Sequence, residues 1–377
     1  MPASALQREA LPPYMNILLI YTGGTIGMVQ NAETGALESF DFQQLQQHVP
    51  ELYTLGHHID VHTFQPPIDS SDMTPDHWLQ LRDIILESYD RYDGFVVLHG
   101  TDTMAFTASA LSFLLPGLTK PVIFTGSQLP VSQVRTDGRE NLITAVEMAA
   151  DTDAEGRPRV PEVCIYFERK LLRGNRATKI NAEGFNAFRT HNFPPLATAG
   201  THIIYKAPLI SPQRGKWGIG NSDKGCALQL SPKGGAGRGL GAGRGHLCTD
   251  IVVVTLFPGM SEEMFAAQVS APALRAVILR TFGSGNAPQR PWLLNQLNLL
   301  RQRGVIVVNI TQCDEGSVEM GRYQTSRLLL EAGVVPGYDS TWEAMLTKLM
   351  VLLACDLSRE EVISLLLQSL AGEITPS

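Results

Sequence analysis

Two threonine hydroxyls flank a pair of glycines near the start of the chain. The stretch Thr22-Gly23-Gly24-Thr25-Ile26-Gly27 follows directly on the apolar run Asn16–Tyr21. Glycine has no side chain, so its backbone N–H can approach a bound atom closely. The spacing fits neither the dinucleotide pattern G-x-G-x-x-G nor the Walker phosphate pattern. The stretch is therefore a candidate ligand site that offers hydroxyls beside backbone N–H groups.

Two further polar clusters offer carboxylates beside hydroxyls. In Asp69–Thr74, Thr74 before Pro75 is typical of a helix N-cap, which leaves Ser70 and Ser71 outside the helix as hydroxyl donors for a small carboxylate. The second cluster, His99–Met104, follows another apolar run, and helix capping alone would explain its Thr101 or Asp102.

A basic cluster, Arg173–Lys179, follows the apolar run Val163–Phe167. Basic runs are usually solvated surface. Lys179 beside Arg173 and Arg176 should nevertheless lose its proton more readily than an isolated lysine, because neighbouring positive charge disfavours the ammonium form. A neutral lysine is a competent general base.

Short apolar runs alternate with stretches that have helical spacing along most of the chain. Runs that are apolar on both faces predict parallel strands covered by helices, and the alternation predicts an α/β doubly wound sheet with right-handed crossovers. The predicted strands are Asn16–Tyr21, Gly94–Leu98, Pro121–Thr125, Val163–Phe167, Ile251–Phe257, Ala276–Thr281 and Val305–Ile310, and the predicted helices are Thr103–Leu115, Arg139–Ala149, Trp292–Arg303 and Thr341–Ala354. The polar clusters follow strands of one predicted sheet, so we expect them to converge on one crevice.

A chain of 377 residues is long for one hydrophobic core, which predicts two domains. The stretch 215–245 is dense in glycine and basic residues and is expected to be an exposed connector. An RNA-contacting segment is the alternative, although Trp217 is its single aromatic stacking partner. We expect a tail at 1–14, an N-terminal domain with a mixed or parallel sheet at 15–210, a linker at 211–248 and a smaller C-terminal α/β domain with a parallel sheet at 249–377.

Composition excludes several classes of protein. The net charge of −7 provides no basic field for nucleic acid or an anionic membrane surface. Five scattered cysteines without a CxxC pair argue against a disulfide framework or a zinc site, and suit a reducing compartment. Neither a signal-peptide core nor a membrane-spanning run is evident. We expect a cytoplasmic protein.

Taken together, the motifs resemble the asparaginase family, in particular its cytosolic type I bacterial branch. The resemblance extends from about residue 16 to residue 353, apart from the glycine-rich connector. Its matching stretches are Tyr21–Met28, Asp69–Thr74, His99–Ala105, Arg173–Lys179, Arg280–Pro288 and Gly304–Cys313.

The resemblance implies hydrolysis of L-asparagine to L-aspartate and ammonia, with weak glutaminase activity and without a metal or organic cofactor. Thr25 would be the nucleophile, and Thr101, Asp102 and Lys179 the supporting catalytic group. The implied substrate-binding residues are Asp69, Ser70, Ser71, Thr101, Asp102 and Asn286, the last supplied by a neighbouring subunit of a homodimer or a dimer of dimers.

The chain departs from the family pattern in one loop near its start. The loop Val29–Phe40 has none of the tyrosines that bacterial relatives carry there, and Tyr323 is a candidate replacement base; the alternative is a core tyrosine on a helix.

Thr178, Arg280 and Cys313 match positions of a second, regulatory asparagine site in some cytosolic members. Cys313 could instead be a buried apolar residue, as free cysteines often are.

Three other functions fit parts of the pattern. An amidotransferase subunit that releases ammonia for misacylated transfer RNA shares the fold and the catalytic group, but the few residues before Tyr21 are too short for its additional N-terminal domain. An amino-acid sensor that has lost turnover conflicts with the complete set of catalytic side chains. A dinucleotide-dependent oxidoreductase lacks its glycine fingerprint and acidic residue.

Overall fold

An eight-stranded sheet forms the centre of the N-terminal half. The computed structural model describes residues 14–30, 37–39, 49–210, 245–321 and 324–375. Strands in this half are β1 (Asn16–Tyr21), β2 (Met28–Gln30), β3 (Leu37–Ser39), β4 (His58–Thr63), β5 (Gly94–Leu98), β6 (Val122–Thr125), β7 (Val163–Phe167), β8 (Lys170–Arg173), β9 (Ala177–Lys179), β10 (Phe188–Thr190), β11 (Ala197–Ala199) and β12 (Ile203–Tyr205). The spatial order of the large sheet is β12-β11-β8-β7-β6-β5-β1-β4.

The sheet is parallel from β4 to β7 and antiparallel from β7 to β12. The prediction of a parallel core is confirmed, because β5, β6 and β7 are buried at every residue and β1 at nearly every one. The sequence prediction missed β4, whose side chains alternate between exposed and half-buried at the sheet edge. It also missed the short strands β8, β11 and β12 at the opposite edge.

Helices cover both faces of this sheet. They are α1 (Pro75–Ser88), α2 (Met104–Leu114) and α3 (Gly138–Ala150). Leu18 and Ile20 of β1 pack in one core with residues of α1 and α2, whereas Ile17 and Leu19 pack on the other face with residues of α3. The alternation of the strand side chains therefore divides one apolar run between two cores, as the doubly wound prediction requires.

The C-terminal half contains a second, smaller α/β unit. Its strands are β13 (Ile251–Thr255), β14 (Ala276–Thr281), β15 (Ile306–Thr311) and β16 (Val335–Pro336), all parallel and in that order. Its helices are α4 (Glu262–Gln268), α5 (Pro291–Gln302), α6 (Gln324–Glu331), α7 (Trp342–Ala354) and α8 (Arg359–Leu366). None of the helices that the structure describes is long and apolar enough to cross a membrane.

The two units are packed together through α2 and α7. Phe106 of α2 meets Trp342 of α7 edge to face, with the ring centroids 4.7 Å apart. The side chain of Val351 on α7 is buried in the core of the large sheet. The predicted connector is described only at its end, since residues 211–244 lie outside the described residues.

The order of the large sheet creates a switch point between β1 and β5. From β1 the chain first moves outward to β4 and then returns to β5 on the other side. The loops after β1 and β5 thus leave their strands in opposite directions, which opens a crevice at the carboxyl ends, where sheets of this kind bind ligands.

Candidate active site

Three loops meet at this crevice through direct backbone contact. Gly23 lies against Ile68, and a Cβ at Gly23 would be 2.1 Å from the Ile68 carbonyl oxygen. A Cβ at Gly24 would be 2.5 Å from Gly100 Cα, and one at Gly100 would be 2.5 Å from Ser70 Oγ. Glycine is therefore required so that the loops after β1, β4 and β5 can touch.

Thr25 begins the 3-10 turn Thr25–Gly27 directly after Gly24 and is half-buried. Within the residues that the structure describes, no group forms a hydrogen bond with its hydroxyl. The loop before it is fixed by Thr22, whose backbone N–H and hydroxyl both donate to the Leu98 carbonyl at 3.0 Å. Thr25 thus presents its hydroxyl from a loop that is tied to the end of β5.

Thr101, Asp102 and Lys179 form a connected polar group. Lys179 Nζ donates to Thr101 Oγ1 at 2.8 Å and to Asp102 Oδ1 at 2.8 Å. The Asp102 side chain is 62% exposed and that of Lys179 18% exposed, so the carboxylate is open to a ligand while the amine is sheltered. Residues distant in the sequence are brought together as the predicted convergence requires.

Asp69 organises the turn that precedes α1. Its side chain caps the 3-10 turn Ser70–Asp72 by accepting from Ser71 N and Ser71 Oγ, each at 2.9 Å. These hydrogen bonds lower the pKa of the Asp69 carboxyl below its ordinary value. Ser70 is buried at the contact with Gly100, whereas Ser71 and Asp69 face solvent.

The predicted helix start at Thr74 is confirmed. Pro75 is the first residue of α1, and Thr74 forms a capping box with His77, whose Nδ1 accepts from Thr74 N at 3.1 Å. Thr74 is thereby accounted for by helix capping.

His99 is a wholly buried, neutral part of the same loop system. Its Nδ1 lies 2.7 Å from the Gly100 carbonyl and its Nε2 2.9 Å from Thr107 Oγ1, which in turn accepts from Trp78 Nε1 at 3.0 Å. This network assigns the proton to Nδ1. Burial lowers the pKa of His99 to about 4, so its role is to hold Gly100 in place rather than to exchange protons near neutral pH.

Gln128 is a site residue that the sequence analysis missed. It lies in the loop after β6, and its Oε1 is 3.4 Å from Thr101 Oγ1. Its Nε2 donates to the carbonyls of Ala182 and Gly184 in the segment after β9. Because β6 is the neighbour of β5, the rule used for the other clusters, which looks at the carboxyl ends of adjacent parallel strands, would have identified it.

The cluster Arg173–Lys179 does not directly follow the carboxyl end of β7, as the sequence predicted, because β8 lies between them. Strand β8 runs antiparallel to β7, so Arg173 pairs with Cys164 at the far end of β7, and only after a turn does β9 return along α2 to bring Lys179 to the site. Arg173 forms an ion pair with Glu162 at 2.7 Å.

Arg173 and Arg176, the positive neighbours that the sequence predicted for Lys179, are each paired with a carboxylate. Arg176 pairs with Asp339 at 2.8 Å, and Lys179 itself pairs with Asp102. Each of the three cations thus has its own carboxylate, and the two arginines belong to the packing of the C-terminal segment.

The residues matched to a regulatory site do converge. Thr178, Arg280 and Cys313 line one cavity near the contact between the two units. Thr178 donates a hydrogen bond to Oε1 of the buried Glu343, and burial raises the pKa of that carboxyl while Arg280 opposes the rise. Within the described part of the chain, Glu343 Oε2 and Arg280 Nε have no hydrogen-bond partner.

The cavity contains one residue whose burial was predicted wrongly and one residue that was not predicted. Cys313 is exposed, so the alternative of a buried apolar cysteine is wrong. His191, which the sequence analysis did not single out, also lines the cavity; both of its ring nitrogens are buried and lack a hydrogen-bond partner among the described residues, and Nδ1 lies 4.0 Å from Glu315 Oε1.

The remaining two candidates lie in the C-terminal half. Asn286 is in the turn after β14 and forms an isolated bridge with Phe282. Tyr323, the candidate base, lies outside the described residues.

Comparison with known proteins identifies relatives along nearly the whole chain. The family model "Asparaginase, N-terminal" matches residues 16–211, and "Glutaminase/Asparaginase C-terminal domain" matches residues 250–366. L-asparaginase 1 of Escherichia coli is 42% identical over 369 residues, which cover 96% of this chain and 98% of that protein. The 60 kDa lysophospholipase of Mus musculus is 37% identical over 397 residues, covering 97% of this chain and 64% of that protein. The crystal structure of L-asparaginase I from Vibrio cholerae is 40% identical, with a TM-score of 0.80 over 96% of this chain and 100% of that one.

Proposed function

Because the chain belongs to the asparaginase family, we propose that it hydrolyses L-asparagine to L-aspartate and ammonia through an acyl-enzyme on Thr25, as a step of asparagine breakdown. The single observation that supports this most strongly is the Thr101–Lys179–Asp102 group beside the glycine contact of Gly24 and Gly100. A hydroxyl nucleophile and a positioned lysine then occupy one crevice.

In the first step, Thr25 Oγ1 attacks the side-chain amide carbonyl. A C–O bond forms as the Thr25 O–H bond breaks, the C–N bond then breaks, and the departing nitrogen takes up the proton that Thr25 lost and leaves as ammonia, so that an aspartyl ester remains on Thr25. In the second step, water attacks the ester and returns the threonine hydroxyl. Backbone N–H groups near Thr25 and Thr101 are the donors for the oxyanion, and each such donor typically contributes about 2.7–4 kcal/mol.

Lys179 is the proposed base of this group. It accepts a proton through the Thr101 hydroxyl, with which it shares a 2.8 Å hydrogen bond, and Asp102 stabilises the positive charge that results. A positioned base contributes about 10²–10⁴ in rate.

Substrate recognition requires partners for an α-carboxylate and an α-ammonium group. The turn Asp69–Ser71 offers hydroxyls to the carboxylate, and the exposed carboxylate of Asp102 faces the ammonium. Glutamine is one methylene longer, and one methylene is worth only about 1–3 kcal/mol in discrimination, so weak glutaminase activity is expected.

Thr25→Ala tests the proposal. Ammonia release from asparagine should fall to background, while binding of asparagine, measured by calorimetry, persists. Thr54→Ala, which removes an exposed hydroxyl on a separate turn, is the matched control and should retain full activity. Ammonia release by Thr25→Ala at more than a few per cent of the wild-type rate would contradict the threonine mechanism.

We also expect the active form to be a homodimer or a dimer of dimers in which Asn286 of one subunit completes the site of its neighbour. The loop that bears Asn286 belongs to the C-terminal unit, whereas the loops of the crevice belong to the large sheet. Most soluble oligomers are closed symmetric assemblies of identical chains, and two-fold dimers are the commonest of them. Light scattering of the purified protein measures the state directly.

The cavity around Thr178, Arg280 and Cys313 supports a regulatory site for asparagine. A buried carboxylate and a guanidinium with unused hydrogen-bonding atoms suit the two charged groups of an amino acid. Thr178 directly precedes Lys179, so occupation of the cavity can shift the catalytic amine. We predict a sigmoidal rate curve that becomes hyperbolic in Arg280→Leu. The control is Arg290→Leu, which makes the same change at an exposed residue directly before α5. A wild-type curve that is hyperbolic at every asparagine concentration would exclude regulation.

A further inference from the structure

Asn309 is a wholly buried polar side chain in β15 to which the proposed mechanism assigns no role. Its relative exposure is 0%, and both ends of its amide are used. Thr281 Oγ1 donates to Asn309 Oδ1 at 2.7 Å, and Asn309 Nδ2 donates to the Gly285 carbonyl at 3.1 Å. The side chain therefore connects the end of β14 to the turn that follows it.

That turn, Phe282–Asn286, is held at several points. Phe282 N donates to the Asn286 carbonyl at 2.9 Å, and Asn286 N donates back to the Phe282 carbonyl at 2.8 Å. Thr311 Oγ1 donates to the Gly283 carbonyl at 2.6 Å. Asn309 and Thr311 are thus two side chains of β15 that bind this turn, and Asn309 is the wholly buried one of the two.

Gly285 makes the contact between turn and amide close. Its φ is +104°, and a Cβ there would be 2.7 Å from Val318 Cγ1 and 3.0 Å from Asn309 Nδ2. The backbone of the turn thus lies directly on the Asn309 amide. A shift of that amide is transmitted to Asn286, the next residue along the chain.

The choice of asparagine at this position has a physical reason. An apolar residue would fill the same volume but leave the Thr281 hydroxyl and the Gly285 carbonyl buried without partners, and each unpaired group would destabilise the fold. An apolar pair at 281 and 309 would remove the Thr281 hydroxyl but would still leave the Gly285 carbonyl without a donor, so it is the backbone of the turn that requires an amide here.

We infer that Asn309 is a positioning residue that holds the Phe282–Asn286 turn so that Asn286 reaches the active site of the neighbouring subunit. The inference rests on the proposed function, in particular on a site completed by a second copy of the chain.

Asn309→Leu and Asn309→Asp are the direct variants. Leucine removes both hydrogen bonds, whereas aspartate keeps the acceptor for Thr281 and places an oxygen against the Gly285 carbonyl. For both we expect KM for asparagine to rise about tenfold with a smaller change in kcat, because loss of a buried hydrogen bond is typically worth that factor. Asn295→Leu makes the same chemical change at an exposed position of α5 and should leave KM unchanged.

A complementation experiment separates positioning from general loss of folding. Asn309→Leu and Lys179→Met subunits are co-expressed with different tags, and the mixed dimers are purified. One site then combines the intact catalytic group of the first subunit with the intact turn of the second. We expect about half of the wild-type rate per dimer, with the wild-type KM, since one of two symmetric sites is whole.

The same experiment with Asn286→Ala and Lys179→Met provides the reference. If this reference pair recovers activity with the wild-type KM and the Asn309→Leu pair does not, the role of Asn309 is overturned while the proposed function stands. If the reference pair also fails, Asn286 does not serve a neighbouring site, and the inference falls with that part of the proposed function. Recovery by both pairs supports the inference.

Discussion

Lys179 is placed at the site by two oxygens of different character. A neutral hydroxyl, Thr101 Oγ1, and a carboxylate, Asp102 Oδ1, each lie 2.8 Å from its Nζ. The same hydroxyl donates to Gln128 Oε1 at 3.4 Å, and the Gln128 amide group in turn donates to the backbone after β9. At the scale of single residues, Lys179, Thr101, Asp102 and Gln128 form one hydrogen-bonded network, which limits the reorganisation that catalysis would require.

His99 should make the protein sensitive to acid. Its pKa in the folded state is about 4, below the value of about 6.5 expected when the chain is unfolded, because burial disfavours the charged ring. The unfolded state therefore binds the proton first, and stability that is complete above about pH 6.5 is lost as the pH falls towards 4. Between pH 6.5 and pH 4, the unfolding free energy of the wild type should therefore fall by about 3 kcal/mol more than that of His99→Gln.

Urea unfolding at pH 6.5 and pH 4 measures this difference. Thr107→Val is the matched control, since it removes the hydroxyl next to Nε2 but keeps the imidazole, and should retain the acid dependence of the wild type. Equal pH dependence in His99→Gln and the wild type would show that the ring does not stay neutral in the fold.

At the scale of elements, the site is made by loops that can approach one another only because they contain glycine. The loops after β1 and β5 diverge at the switch point, yet Gly24 and Gly100 bring their backbones into contact. The strands set the direction of each loop, and the glycines set the distance between them.

Gly24→Ala should therefore disrupt the site more than the fold. Its φ is +93°, and the added Cβ would lie 2.5 Å from Gly100 Cα, so the loops must separate. We expect kcat/KM to fall by about 10²-fold, the effect of a displacement near 1 Å at a catalytic group. Gly56→Ala has a similar φ of +73° but open space around its Cβ, so it should cost about 1 kcal/mol of stability and leave activity intact. Full activity in Gly24→Ala would mean that the contact is not needed.

At the scale of the whole molecule, the C-terminal segment joins the two units. Lys348 of α7 and Glu373 form an ion pair at 2.7 Å in which neither side chain is exposed. Asn175 Nδ2 donates to the Ala371 carbonyl, and Arg176 Nε donates to the Gly372 carbonyl. The turn that leads to Lys179 is thus anchored on the last residues that the structure describes.

Glu373→Gln should destabilise the protein strongly. It removes the charge that compensates the buried Lys348 ammonium, and breaking such a pair typically costs about 3–5 kcal/mol. Chemical unfolding measures the loss, with Glu360→Gln as a control, because the Glu360 side chain is 80% exposed and its contact with Arg359 is weak. A loss below about 1 kcal/mol for Glu373→Gln would show that the pair is not a buried charge pair in solution.

The sequence by itself determined the parallel core and two of the loops that form the candidate active site. Continuous apolar runs such as Gly94–Leu98 are typical of parallel strands that are buried on both faces. The motifs of glycine and hydroxyl residues follow such runs directly. Both signals are local, since they depend on residue type and spacing within a few positions. Chain order and the carboxyl-end rule then sufficed to place Thr25 and Thr101 at one crevice.

Only the tertiary structure decided the edge strands, the route of the chain to Lys179 and the contacts of Gln128 and Glu343. Strand β4 alternates polar and apolar residues, and β8 reverses direction, so neither carries the pattern of a buried parallel strand. The partner of Thr178 lies on a helix in the other unit. Such contacts depend on how distant elements pack, and no local periodicity encodes which buried carboxylate will meet which hydroxyl.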